Sequence, residues 1–109
     1  MQIFAKADAP ELTELGGGIS RKIRCWNEEM MLAEVIFETG AVGSDHTHPH
    51  TQISYVLSGE FTYHIEGEAH VMLPGDSIVV SGGKLHGCTC VKAGVLLDVF
   101  SPMRADFVK

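Results

Sequence analysis

The sequence has no long apolar run and fewer charged residues than most soluble proteins. Charged residues make up 20% of the 109 positions, and no apolar stretch approaches the roughly 20 residues that a helix needs to span a bilayer. The opening segment, MQIFAKADAPELTEL, lacks the basic segment and continuous apolar segment of a secretory signal peptide. The sequence therefore predicts a soluble, cytoplasmic protein that does not bind membranes.

Basic residues are scarce. The chain has 8 lysines and arginines against 14 aspartates and glutamates, so its formal net charge is −6. The few basic residues are scattered, whereas a nucleic-acid-binding surface needs clustered Lys and Arg to offset phosphate charge. We therefore expect no nucleic-acid partner.

Cysteine is also rare and lacks a recognisable spacing. The sequence has 3 cysteines, Cys25, Cys88 and Cys90, which is an odd number without the C-x-x-C spacing of zinc and redox motifs. This pattern suits a reducing compartment. We expect Cys88 and Cys90 to be small residues that fill the core, and metal ligation is the alternative.

Glycine, by contrast, recurs at regular intervals. Gly59, Gly67, Gly75 and Gly83 lie in turn-like pieces, and segments rich in β-branched and aromatic residues separate them. Short strands between such turns are typical of an antiparallel sandwich or barrel. We therefore predict a single all-β domain over residues 1–109.

The segment NEEMMLAEVIFETG fits either a helix or a strand. Its first residues have good helix propensity and a suitable N-cap. Met31, Ala33, Val35 and Phe37, however, alternate toward one face, and this alternation predicts a strand. The remaining helix candidate is a short helical turn around residues 10–15.

Three of the 6 histidines occur within the heptapeptide HTHPHTQ. In an extended chain His46 and His48 project to the same side, as two ligands of one ion must. Gln52 follows the bend at Pro49, and His86 follows a distant glycine-rich turn, so both are further candidates. Three imidazoles and one amide oxygen suit a divalent transition metal, with positions left for water or substrate. An exposed histidine-rich loop without a metal is the alternative.

These residues resemble the two motifs of the cupin superfamily. The first motif, G-x5-H-x-H-x3,4-E-x6-G, matches from Gly40 to Gly59 with glutamine in the acidic position. The second, G-x5-P-x-G-x2-H-x3-N, matches from Gly75 to Cys90, with Ser81 in place of proline and Cys90 in place of asparagine. The resemblance implies a small double-stranded β-helix, or jelly-roll barrel, over roughly residues 20–101, with an N-terminal segment over roughly residues 1–19. It also implies a homodimer paired through its sheets. It implies metal binding by His46, His48, Gln52 and His86, with His50 beside the ligands.

The glutamine bears on the choice of substrate. Three neutral imidazoles and an amide leave the charge of a divalent ion uncompensated, whereas a carboxylate in place of Gln52 would reduce it to about +1. An anionic substrate is therefore favoured, and the ion would act as a Lewis acid in an isomerisation or ring opening. The sequence does not distinguish nickel, zinc, manganese and iron, since all accept imidazole.

The C-terminal segment GVLLDVFSPMRADF places one acidic residue on an apolar strand. Leu96, Asp98 and Phe100 share a face if the segment is extended. The Asp98 carboxylate is then either a functional group or the partner of a buried donor. Arg104 follows a Ser-Pro bend and is either a surface residue or a carboxylate-binding group over the barrel mouth.

The whole chain is similar to the small cupins of the KdgF type, which act in pectin degradation. The segments HTHPHTQISYVLSG and GVLLDVFSPMRADF carry this resemblance. It implies ring opening and ketonisation of 4,5-unsaturated uronates, derived from pectin or alginate, to linear 5-keto-4-deoxyuronates. It also implies that Asp98 and Arg104 are catalytic, and that Arg104 and Phe100 contact the substrate.

Three alternatives stay open at this point. A cupin dioxygenase would use iron or copper and consume oxygen. A non-catalytic sugar-acid-binding module would bind a uronate without converting it. A barrel with a purely structural polar cluster would need every buried polar side chain to be hydrogen-bonded without a metal.

Overall fold

Eight β-strands form most of the chain in the computed structural model, which describes residues 1–108. The strands are β1 (Thr13–Gly16), β2 (Ile19–Trp26), β3 (Met31–Phe37), β4 (Val42–His46), β5 (Thr51–Ile65), β6 (Glu68–Met72), β7 (Ser77–Val80) and β8 (His86–Ser101). A 3-10 helix over Ala105–Phe107 follows β8. The predicted all-β class is confirmed, and among residues 1–108 no helix is long and apolar enough to cross a membrane.

The long strands β5 and β8 each belong to two sheets. The first half of β5 pairs with the second half of β8, as in the pair Gln52 and Phe100, and these halves lie between β7 and β3, with β2 and β1 beyond. The second half of β5 pairs with the first half of β8, as in the pair Tyr63 and Cys88, and these halves lie between β6 and β4. The two sheets enclose the main core cluster between them, and a second, smaller cluster of Met31, Ala33 and Phe100 packs against the chain end.

Aromatic and aliphatic side chains from both sheets fill this core. The rings of Phe37 on β3 and Phe61 on β5 meet edge to face with their centroids 5.1 Å apart. Cys88 and Cys90 lie in the same core cluster, as predicted. Burial raises the pKa of the Cys88 thiol to about 12, so this side chain stays neutral and acts as a small apolar residue.

Two predictions about local structure have different outcomes. The strand predicted from the alternation of β3 is confirmed, since Met31, Ala33, Val35 and Phe37 are buried while their neighbours are not. The helical turn predicted around residues 10–15 is wrong, because Thr13–Gly16 forms the edge strand β1 and pairs with β2. Backbone hydrogen bonds to a neighbouring strand outweigh the weak local propensity for a helix.

Gly59 also differs from its prediction as a turn residue. Strand β5 continues through it, and the pairing with β8 becomes irregular on either side. Gly59 has a φ of 84°, and a Cβ there would lie 2.5 Å from the carbonyl oxygen of Lys92. A bulge therefore bends β5 from one sheet into the other, and only glycine permits the close approach to β8.

Replacing Gly59 with alanine is expected to lower the free energy of unfolding by roughly 2 to 4 kcal/mol, because the added Cβ meets backbone atoms as well as an unfavourable φ. Gly67→Ala is the matched control, since Gly67 has a similar φ of 80° and no heavy atom within 4 Å of the added Cβ. We expect a loss of only about 1 kcal/mol for the control. Urea unfolding of both variants measures the difference, and equal losses would show that the close approach is not a constraint.

Candidate metal centre and cavity

Three histidines meet at one end of the barrel. His46 ends β4 and His86 begins β8, and the two residues face each other in the strand pairing. His48 lies two residues beyond the end of β4, in the following loop. One ligand nitrogen from each ring lies within 4.8 Å of the others. The structure thus brings together the three histidines of the predicted ligand set, with His48 placed by a loop rather than by the expected strand.

A backbone carbonyl holds each of these rings. The Nδ1–H bonds run from His46 to Ser44 at 2.8 Å, from His48 to His50 at 2.9 Å and from His86 to Lys84 at 2.9 Å. A carbonyl oxygen only accepts, so each Nδ1 carries the proton and a neutral ring keeps its lone pair on Nε2. The His86 Nε2 atom is buried and has no hydrogen-bond partner among residues 1–108.

Gln52 supplies an oxygen to the same group. Its amide nitrogen donates to Ser54 Oγ at 3.0 Å and to Tyr63 Oη at 3.3 Å, which turns its Oε1 toward His48 Nε2 at 3.0 Å. The lone pair of His48 Nε2 therefore faces a lone pair of Gln52 Oε1. A second proton on the His48 ring would let Nε2 donate to this oxygen, but burial lowers the pKa of His48 and so opposes that protonation. A cation bound by both atoms would remove this conflict. The donor set therefore fits a divalent transition metal.

Asp98 lies on β8 beside this group and is 8% exposed. Its Oδ1 accepts a short hydrogen bond of 2.6 Å from Ser54 Oγ. Burial raises the pKa of the Asp98 carboxyl to about 6, while the bonds from Ser54 and Gln52 act in the opposite direction. The Asp98 carboxyl is therefore held in one orientation, and its pKa lies close to neutral pH.

Ser54 and Tyr63 are site residues that the sequence analysis did not select. Ser54 is fully buried on the inward face of β5, two residues after Gln52, and its Oγ lies 3.2 Å from Tyr63 Oη. Burial raises the pKa of Tyr63 above its ordinary value, so its hydroxyl remains protonated. The signal available in the sequence was the alternation of β5, which places a serine among inward-facing residues.

A cavity of about 290 Å³ opens next to these side chains. Its walls include His46, Gln52, His86, Asp98, Phe100 and Arg104. The ring of Phe100 is buried, and its centroid lies 5.8 Å from that of His48. Arg104 turns back over the cavity, with its guanidinium carbon 5.3 Å from the Phe100 ring centroid. Its Nε and Nη2 donate to the two carboxylate oxygens of Asp106 at 3.1 and 3.0 Å.

Residues 33–100 match the family model described as a cupin domain. The chain belongs to the cupin family. This cupin is also 44% identical over 97 residues to the pectin degradation protein KdgF of Dickeya dadantii. The aligned residues cover 87% of this chain and 88% of the relative. The predicted similarity to KdgF-type cupins is therefore confirmed.

Solved structures agree with this family. A cupin from Shewanella frigidimarina superimposes with a TM-score of 0.94 at 38% identity, over 98% of this chain and 96% of that one. The structure of KdgF from Halomonas sp. superimposes with a TM-score of 0.92 at 34% identity, over 98% and 99% of the two chains. The double-stranded β-helix predicted for this cupin is confirmed.

Proposed function

We propose that this cupin opens the ring of 4,5-unsaturated uronates and converts them to linear 5-keto-4-deoxyuronates. The observation that carries the proposal is the buried carboxyl of Asp98, which shares one cavity with Arg104 and with His46 and His86 of the histidine cluster. The relative from Dickeya dadantii, named for pectin degradation, supports a uronate as the substrate. The reaction is an isomerisation, so it needs neither an oxidant nor a second substrate.

We assign the metal ligands to His46, His48, His86 and Gln52. When bound there, a divalent ion of nickel, zinc, manganese or iron would supply Lewis-acid polarisation of a substrate oxygen. These four side chains are neutral when they ligate an ion, so the ligands themselves do not offset its charge. This supports an anionic substrate such as a sugar acid.

Arg104 binds the uronate carboxylate in this proposal. Its guanidinium is planar and suited to carboxylate oxygens, and the side chain as a whole is only 13% exposed. Its two hydrogen bonds to Asp106 hold the guanidinium in place at the cavity wall. Phe100 forms an apolar wall against which the flat, unsaturated ring packs.

Asp98 transfers the proton. Its carboxylate accepts the proton of the anomeric hydroxyl as the bond between C1 and the ring oxygen breaks, which leaves an aldehyde at C1 and an enolate at C4 and C5. The same proton is then returned to C4, and the ketone forms at C5. Ser54 positions the Asp98 carboxyl through the 2.6 Å hydrogen bond and does not itself react.

The test is the rate at which the alkene absorbance of unsaturated galacturonate disappears. We expect metal-loaded protein to exceed the spontaneous rate by at least about 10³-fold, and we expect a chelator to remove this excess and added metal to restore it. The metal content of the same samples should fall with the chelator and return when metal is added. A metal-loaded protein that leaves the uronate unchanged would overturn the proposal.

Two controls separate the alternatives. A cupin dioxygenase requires oxygen, so a rate that is unchanged under anaerobic conditions argues against it. A sugar-acid-binding module gives saturable binding of the uronate without any loss of absorbance. Substrates derived from alginate and a cytoplasmic location stay predictions of the sequence.

The outer face of one sheet supports the predicted homodimer. Ile53 on β5 pairs with Val79 on β7 and with Val99 on β8, and the exposed Tyr55 and Leu57 extend this row. These side chains form an apolar surface on the side of β5 that faces away from the core. We propose that a second copy of the chain packs against this surface, which leaves the cavity open.

A further inference from the structure

Arg21 brings a second guanidinium to the cavity. It lies on β2 between Ile19 and Ile23 on the face that pairs with the inward residues of β3, and it forms part of the cavity wall. Its guanidinium carbon lies 3.7 Å from the ring centroid of Phe107. The guanidinium carbon of Arg104 lies 4.3 Å from the same centroid. One aromatic ring thus contacts two cations.

Arg21 lacks the partners that Arg104 has. Its Nε is buried without a hydrogen-bond partner, and it takes part in no ion pair among residues 1–108. Arg104, by contrast, is already bound through two nitrogens to Asp106. A buried guanidinium nitrogen without an acceptor costs free energy, so the position calls for an anion.

The surrounding charges agree with this. Burial lowers the pKa of Arg21, and the positive charge of Arg104 lowers it further, while Asp106 opposes both effects. Asp106 compensates only in part, because its side chain is half exposed and paired with Arg104. An anion that enters the cavity removes the repulsion between the two guanidinium groups.

We propose that Arg21 is a second carboxylate-binding residue, which acts with Arg104 to select sugar acids over neutral sugars. This inference rests on the proposed function, since it names the group that recognises the substrate carboxylate. Arg21 is a binding residue, and it takes no part in the transfer of the proton. A purely structural role, in which Arg21 only packs against Phe107, is the alternative.

Arg21→Met tests this inference, because methionine keeps the apolar stem and removes the guanidinium. We expect KM for unsaturated galacturonate to rise about 10- to 100-fold with kcat within about threefold of wild type, since a hydrogen bond to a charged group is lost from binding alone. Arg21→Lys should recover part of the loss, because the charge returns without the fork of donors. Lys22→Met is the matched control, since Lys22 neighbours Arg21 on the other face of β2 and lies outside the cavity wall, and it should leave KM unchanged.

A binding measurement separates this inference from the proposed function. Calorimetry measures the binding of saturated galacturonate to the metal-loaded protein, and galactose is the neutral comparison. We expect Arg21→Met to weaken binding of galacturonate about 10- to 100-fold, whether or not the wild type converts the unsaturated sugar. An unchanged KM, a fall in kcat alone, or a wild type that binds no galacturonate would each overturn the inference. If Arg21→Met does not fold, the comparison passes to Arg21→Lys, where an unchanged KM overturns it.

Discussion

Replacement of Asp98 with asparagine is expected to lower kcat for unsaturated galacturonate by on the order of 10²- to 10⁴-fold, because the amide cannot accept the proton of the anomeric hydroxyl. The substitution keeps the size of the side chain and an oxygen that accepts from Ser54. The barrel and the metal content should therefore remain as in the wild type. The decay of the alkene absorbance, measured together with metal content, gives the result.

Asp8→Asn is the matched control, since Asp8 is exposed and lies outside the cavity wall. We expect this variant to have wild-type kcat. A wild-type rate in Asp98→Asn would exclude Asp98 as the proton carrier. Loss of the metal in Asp98→Asn would show a different role, because Ser54 connects Asp98 to Gln52 and the carboxyl would then hold the ligand group in place.

Replacement of His86 with alanine is expected to remove the bound metal and to lower the rate by at least about 10³-fold, because Lewis-acid stabilisation of several kcal/mol is lost. The buried Nε2 of His86 has no hydrogen-bond partner in the described chain. The substitution therefore removes a proposed metal ligand without breaking a hydrogen bond made by that atom. Elemental analysis of the purified variant and the absorbance assay measure the two effects.

His70→Ala is the control for this prediction. His70 is a histidine on β6 whose side chain is 43% exposed and lies 3.6 Å from Glu68, outside the cluster of three. Its loss should leave both metal content and rate unchanged. A His86→Ala protein that is folded and carries the full wild-type amount of metal would contradict the ligand assignment.

The sequence predicted the parts of the fold that follow from local patterns. The inward face of β3 followed from simple alternation of apolar side chains, which requires no knowledge of the neighbouring strands. The predicted ligands His46 and His86 are distant in sequence, and the spacing of the two cupin motifs was the main reason to place them in one site. Their approach depends on the pairing of β4 with β8, which no local pattern contains.

Several features depend on tertiary structure and were not predictable in this way. Glycines with a positive φ occur in turns and also in bulges within strands, so the glycine at position 59 did not indicate that β5 continues through it. Strand β1 exists because β2 offers it an edge, and its own sequence is weakly patterned. Arg21 lies on a strand without clear alternation, so its place in the cavity wall is apparent only from the packing of β2 against the chain end.

The residues of the cavity divide between two parts of the fold. Gln52, Asp98 and Phe100 lie on the central strands that also build the core, whereas Arg21 lies near the sheet edge and Arg104 follows the last strand. Mutations at the central positions therefore affect folding and chemistry together. Substitutions at Arg21 and Arg104 leave these central strands intact, so the binding of the substrate carboxylate can change independently of the core and of the proton transfer.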